Sequence, residues 1–289
     1  MPYAMSDGVQ LHYVEAGDGR PVVFVHEFAG DARSWEAQLR YFSRRYRCVA
    51  FNARGYPPSE VPEAVSAYSQ TIAADDIAAV ITQLDLAPAH VVGLSMGAFA
   101  TLHLALRQPG LVSAVVLAGI GYGAMATERE QFQGEVEETA SRFEAEGMER
   151  AAAAYAASPY RDALRRKDPR GFAEFVEGLA GHATPGSAKT LRGVQKGRPS
   201  FPELSDALAE SHVPTLVVAG DEDDPSLEAS LFLRRTMPTA ALQVLPRTGH
   251  AINLEEPDRF NALVSDFFAT VAAGRWEVGS ADAFGGRIL

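Results

Sequence analysis

The segment Gly93-Leu94-Ser95-Met96-Gly97 carries the strongest chemical signal in the chain. It follows the apolar run His90-Val91-Val92 and precedes Ala98-Phe99-Ala100-Thr101-Leu102, a good helix opening. A serine on such a strand–turn–helix corner sits in a strained backbone conformation, with its hydroxyl lifted off the sheet at a helix N-terminus. The flanking glycines lack the Cβ that would clash in so tight a turn. A serine hydroxyl is a poor nucleophile until a base takes its proton. His250, in Arg247-Thr248-Gly249-His250, follows the last strand candidate and so stands on a loop at a strand's carboxyl end. His12, His90, His103, His182 and His212 are weaker candidates; His103, eight residues after Ser95, lies two turns down the same helix. His26 ends a strand near the site, where a structural role is expected. An imidazole base needs an acid to fix its tautomer and to stabilise the imidazolium. Val218-Ala219-Gly220-Asp221-Glu222-Asp223-Asp224-Pro225 offers four carboxylates just beyond a strand, of which only one can face the histidine. The others read as solvated loop charges or helix N-caps. The chemistry in view is attack by a serine on a carbonyl carbon.

Such a set needs a scaffold that delivers three distant loops to one place. Short apolar runs occur at Pro21 to His26, Tyr46 to Phe51, His90 to Leu94, Ala114 to Ala118, Thr215 to Gly220 and Ala241 to Leu245. Runs apolar on both faces are strands covered on both sides. Thr71 to Leu84 carries apolar residues at helical spacing. The alternation predicts an α/β fold with a mostly parallel, doubly wound sheet and a ligand site outside the strands' carboxyl ends. The rhythm breaks between Tyr122 and Ser211, which reads as helices at Ala126 to Glu146, Met148 to Ala157, Pro169 to Ala180 and Ser187 to Lys196. Residues 1–121 and 212–289 are therefore expected to form the core domain, and 122–211 a helical cap. Trp276, Phe284, Ile288 and Leu289 suggest that part of the tail docks.

Composition narrows the function. A chain of 289 residues, 47% hydrophobic, buries a large core without metal or disulfide staples. The single cysteine, Cys48, lies in an apolar run and reads as a buried hydrophobe. A formal charge of −11 argues against nucleic acid. Neither a signal peptide nor an apolar stretch of about 18 residues is visible, so a cytoplasmic location without membrane attachment is expected. The mechanism calls for no cofactor and no metal. The expected partner is a small-molecule substrate, and a homodimer stays open.

Taken together, Tyr13-Val14-Glu15-Ala16-Gly17, Phe24-Val25-His26, Arg54-Gly55-Tyr56, Gly93-Leu94-Ser95-Met96-Gly97, Gly220 to Asp223 and Gly249-His250 with Glu255-Glu256-Pro257 resemble the α/β-hydrolase superfamily. Within it the chain is similar to the capped esterase, C–C hydrolase and cofactor-free haloperoxidase branch. The order serine, aspartate, histidine along the chain is that of the fold. The resemblance implies Asp223 as the acid, three residues after the strand-ending glycine, with Asp224 the runner-up. It also implies an oxyanion hole from the backbone N–H groups of Met96 and Phe28. The usual His-Gly-Phe is here His26-Glu27-Phe28, and Glu27 is expected to turn outward into a salt bridge, the alternative being a carboxylate beside the pocket. Asn52 and Pro57-Pro58 also depart from the pattern. The reaction implied is hydrolysis of a small carboxylic ester through an acyl-enzyme on Ser95. Hydrolysis of a C–C bond in a dicarbonyl dienoate is the nearest rival, and a small-molecule receptor on the same fold is the rival from another class. The second half of the cap is basic, with Lys189, Arg192 and Lys196 on one helix face. Were Lys189, Arg192 or Arg198 to face the pocket, the substrate would be anionic; ordinary solvated faces are the alternative.

Overall fold

The computed structural model describes residues 2–277. Among these residues eight strands form one sheet: β1 (Tyr3–Ser6), β2 (Val9–Ala16), β3 (Arg20–Val25), β4 (Tyr46–Phe51), β5 (Ala89–Leu94), β6 (Val112–Ala118), β7 (Thr215–Gly220) and β8 (Ala240–Leu245). Their order is β1-β2-β4-β3-β5-β6-β7-β8, antiparallel at β1/β2 and β2/β4 and parallel from β4 onward. The six apolar runs are thus the six parallel strands. The two antiparallel strands carry no such run, because β2 is only partly buried and keeps polar residues along its length.

Twelve α-helices follow in chain order: α1 (Glu36–Phe42), α2 (Gln70–Gln83), α3 (Met96–Arg107), α4 (Arg129–Glu146), α5 (Met148–Ala156), α6 (Asp162–Lys167), α7 (Pro169–Ala180), α8 (Thr184–Thr190), α9 (Ser205–Ala209), α10 (Asp224–Thr236), α11 (Ile252–Glu255) and α12 (Pro257–Ala272). Adjacent strand residues point to opposite faces of the sheet. Val23, Val25, Val91 and Val217 pack with α2, α3 and α10, while Val22, Phe24, Val92 and Val218 pack with α1 and α12. Continuous apolar strands are the consequence of this double cover. No helix among the described residues is long and apolar enough to cross a membrane. Trp276 packs its ring on Phe267 and donates Nε1–H to Thr239 O at 2.8 Å; Phe284, Ile288 and Leu289 lie outside the described residues.

Helices α4 to α9 all fall between β6 and β7, and a π-helical turn at Leu191–Lys196 prolongs α8. The apolar faces of α4 to α8 form a separate core that takes in Phe28, Tyr56, Met96 and Ala251 from the loops and helices at the sheet, whereas Leu208 of α9 joins the core on the α2 and α3 side of the sheet. The basic residues expected from spacing to share a face meet protein groups there. Arg192 bonds Glu137 and Glu144, Lys196 bonds Glu137, and Lys189 donates to Pro62 O. These groups hold α4 and the Pro62 loop, so the repeat of cations along the helix is a packing device rather than a ligand surface.

The register levels the carboxyl ends of the central strands: Val25 lies opposite both Phe51 and Gly93, Leu94 opposite Ala118, and Gly220 opposite Leu245. At the crossing of α3 and β3 the backbones nearly touch, and a Cβ at residue 97 would overlap Val25 O. Gly97→Ala is therefore expected to destabilise the protein by about 1–3 kcal/mol, the usual penalty of overpacking. Gly110, whose Cβ would meet nothing within 4 Å, serves as the control. Chemical denaturation of the two variants checks this, with Gly110→Ala expected to stay within about 0.5 kcal/mol of wild type.

Candidate active site

Ser95 is the residue on which β5 ends and α3 begins, with φ 51° and ψ −114°. A non-glycine residue in that region is strained by about 1–3 kcal/mol. Ser95 N–H donates to Ala118 O at 2.8 Å, tying the turn to β6. Gly93 and Gly97 close on one another so tightly that a Cβ on Gly93 would overlap Gly97 O. Ser95 is only partly buried while its neighbours from Ala89 to Phe99 are buried. Its side chain opens into a cavity of about 230 Å³ that His250, Asp223, Phe28 and Glu27 also line.

His250 Nδ1 and Asp223 Oδ2 are hydrogen-bonded at 2.8 Å. Asp223 lies in the loop between β7 and α10, is 1% exposed, and its Oδ2 also accepts from Ser226 Oγ at 2.6 Å. Burial alone would raise its pKa, but the charge and hydrogen bond of His250, with Ser226, hold it below the ordinary aspartate value. His250 shows the mirror image. Burial favours the neutral ring, yet the neighbouring Asp223 carboxylate outweighs that and raises its pKa above 6.5. The other acids of this loop have other partners: Asp221 accepts Thr248 N–H, Glu222 pairs with Arg166, and Asp224 opens α10. His90, His103 and His182 are held neutral by burial, at about 4. His26 is structural, bonding Glu27 O and Ala53 N. Cys48 is buried, and that burial pushes its thiol up to about 12.

Three further residues, Glu255, Tyr56 and Tyr160, build this site through contacts that the sequence does not reveal. Glu255 accepts Gly249 N–H at 2.7 Å and Ala251 N–H at 3.1 Å, so one carboxylate grips both sides of His250. Its position in Glu255-Glu256-Pro257 was the available signal. Tyr56 donates its hydroxyl to Phe28 O at 3.0 Å and sits 3.9 Å from Met96 Sδ, joining the loop after β3 to the start of α3. Met96 N–H is the first in α3 and has no acceptor within the helix. Tyr160, from the helical segment, accepts His250 N–H at 2.9 Å through its carbonyl.

Glu27 corrects an expectation. It does not turn outward: it is 2% exposed and its Oε2 accepts from Arg161, itself 4% exposed. The arginine reaches in from the helical segment, its guanidinium 5.3 Å from the rings of both Tyr155 and Phe175. The position beside the nucleophile loop is polar because a buried cation from another element needs a counter-charge there. Among the aromatic residues of that segment, Phe132, Tyr155 and Tyr160 line the cavity, whereas Phe143, Phe172 and Phe175 belong to its core.

Comparison with known proteins fits this geometry. The model of the alpha/beta hydrolase family matches residues 22–263, and the chain belongs to that family. A Bacillus subtilis protein provisionally named 2-succinyl-6-hydroxy-2,4-cyclohexadiene-1-carboxylate synthase is 26% identical over 92% of this chain and 97% of its own length. A hydrolase from Pseudomonas aeruginosa PA01 superposes with a TM-score of 0.80 at 26% identity, over 92% of this chain and 96% of that one. A thermophilic esterase from Thermogutta terrifontis shares the fold, with a TM-score of 0.80 at 24% identity over 93% and 97% of the two chains.

The buried Glu27–Arg161 pair generates a prediction. Losing one partner leaves an uncompensated buried charge, so Glu27→Gln and Arg161→Met are each expected to destabilise by about 3–5 kcal/mol. The double variant should cost clearly less than the sum, because the two sites are coupled; additive losses in denaturant titrations would contradict the pairing. Glu27 raises and Arg161 lowers the His250 pKa. Glu27→Gln should therefore shift the His250 titration downward in an NMR measurement.

Proposed function

We propose that the protein hydrolyses a small carboxylic ester through an acyl-enzyme on Ser95. The observation that supports this most is the 2.8 Å His250–Asp223 bond beside a serine held at positive φ, all on one small cavity. In this reading His250 Nε2 takes the Ser95 hydroxyl proton as Oγ attacks the carbonyl carbon. The developing oxyanion rests on the Met96 and Phe28 N–H groups, each such donor stabilising the transition state by about 3–4 kcal/mol. The ester C–O bond then breaks, and His250 returns its proton to the leaving alcohol. Water attacks the acyl-enzyme with His250 again as base, releasing the acid and restoring Ser95. Residues 122–211 act as a lid over this site, Tyr160 contacting the histidine loop directly. A cavity below the ~300–1,000 Å³ common for drug-sized ligands favours a short acyl chain.

Ser95→Ala should lose at least about 10⁴-fold in turnover of short p-nitrophenyl esters, as nucleophile removal does in serine hydrolases. A fluorophosphonate should label Ser95 in the wild type; labelling of another residue, or activity surviving in Ser95→Ala, contradicts the mechanism. Asp223→Asn should cost on the order of 10⁴-fold by leaving the imidazole in the wrong tautomer, while Asp224→Asn stays close to wild type. The pH profile has a definite sign. The neutral imidazole is the active base and its pKa is raised, so kcat/KM should climb with pH through an inflection above 6.5. Removing the Asp223 charge should move that inflection down.

A further inference from the structure

The cavity is lined by a buried cation that meets no carboxylate among the described residues. Of the nine basic residues between 159 and 200, seven are ion-paired with a carboxylate, and Lys189 donates to a backbone carbonyl. Arg198 is the exception. It is 2% exposed and lines the same cavity as Ser95. Its guanidinium lies 3.6 Å from the Phe99 ring centroid and 4.8 Å from that of Phe132, and one nitrogen donates to Tyr122 O. Its buried Nε meets no acceptor, and no carboxylate pairs with it among the described residues. Burial first, and the nearby charge of Arg129 second, push its pKa down from the ordinary arginine value. A guanidinium nevertheless keeps its proton in proteins, so the site carries a desolvated cation.

The other charged groups of the cavity are paired, hydrogen-bonded or exposed. Glu27 neutralises Arg161, and Asp223 balances His250. Glu135 is occupied by the Tyr122 hydroxyl and Gln131. Arg142 is exposed. An uncompensated buried charge is costly unless something pairs with it, and the aromatic faces offset only part of that cost. A planar carboxylate is the natural complement of a guanidinium edge.

We infer that Arg198 is the anion-binding end of the cavity and that the substrate is an ester bearing a free carboxylate, of which a monoester of a short dicarboxylic acid is the simplest example. This rests on the hydrolytic reading of Ser95 only for the word ester; the carboxylate subsite stands on Arg198 alone. The chain's net charge of −11 opposes anionic ligands at long range, so a preference for them must come from a local group. Because that group is buried, salt should screen the preference little.

The test compares mono-p-nitrophenyl glutarate with p-nitrophenyl valerate, which differ in the terminal carboxylate. Wild type should favour the anionic ester by about 10- to 100-fold in kcat/KM, the range of a charge-assisted hydrogen bond, and keep that ratio in high salt. In Arg198→Gln the ratio should fall toward one, and Arg198→Lys, which restores the charge without the fork, should recover part of it. Free glutarate should inhibit valerate hydrolysis competitively in wild type. If Arg198→Gln does not fold, the wild-type ratio and the glutarate inhibition still decide. Equal rates on the two esters, together with no inhibition by millimolar glutarate, overturn the inference. Should neither ester turn over, the hydrolytic reading fails by itself. Glutarate should then still raise the melting temperature of wild type and not of Arg198→Gln, and a lack of that shift overturns the subsite.

Discussion

The turn from β5 into α3 is the constraint around which the other loops are arranged. A serine at φ 51° is unfavourable by itself and persists only where its surroundings over-determine it. Here they do so from three sides. Ser95 N–H is held by β6 through Ala118 O, the Gly93 and Gly97 backbones approach within the reach of a Cβ, and β3 lies against Gly97. Glycine is required at the two flanking positions for reasons of space, whereas the strained residue is the one that must carry a side chain. The strain is thus borne by a packed parallel sheet, and its result is a hydroxyl standing proud of the strand ends where His250 and Asp223 also arrive.

A second layer of organisation is electrostatic. The interior contains buried acids and bases, and several are matched: Asp223 with His250 and Glu27 with Arg161 at the cavity, and Arg54 with Asp76 away from it. Such pairs contribute little net stability against an apolar alternative, but each fixes one element against another because separating the partners is costly. Glu27 and Arg161 lie 134 residues apart and join the loop after β3 to the helical segment. Glu255 does the same for the histidine loop by accepting two backbone N–H groups. Against this background of matched charge, Arg198 stands out as a cation packed on two aromatic faces without a counter-ion among the described residues.

Much of the sheet domain was legible from residue order. Strands covered on both faces must be apolar throughout, so all six parallel strands announce themselves, and helix α2 declares its ends by periodicity to within a residue. The candidate nucleophile and base were legible because their local contexts, a glycine-flanked turn and a strand-end loop, are themselves short-range features. The antiparallel strands β1 and β2 were not, since their partial exposure removes the continuous apolar signal. The choice among Asp221, Glu222, Asp223 and Asp224 could not be made from the residues themselves, because four adjacent carboxylates are chemically alike and differ only in the direction in which they point.

What the sequence by itself determined was the class of fold, the order of the strands' apolar runs, and the serine and histidine that converge. What only the tertiary structure decided was the fate of each charge. Lys189, Arg192 and Lys196 share a face by spacing, yet the acids they meet come from α4, some 50 residues earlier, or give way to a backbone carbonyl. Glu27 looks like a surface acid until Arg161 is seen to bury it. Arg198 is one arginine among several in a basic stretch until the absence of a carboxylate beside it, among the described residues, sets it apart. Periodicity records which side of an element is apolar; whether a charge is paired depends on Coulomb interactions between groups distant in sequence, and only the folded chain brings those groups within range.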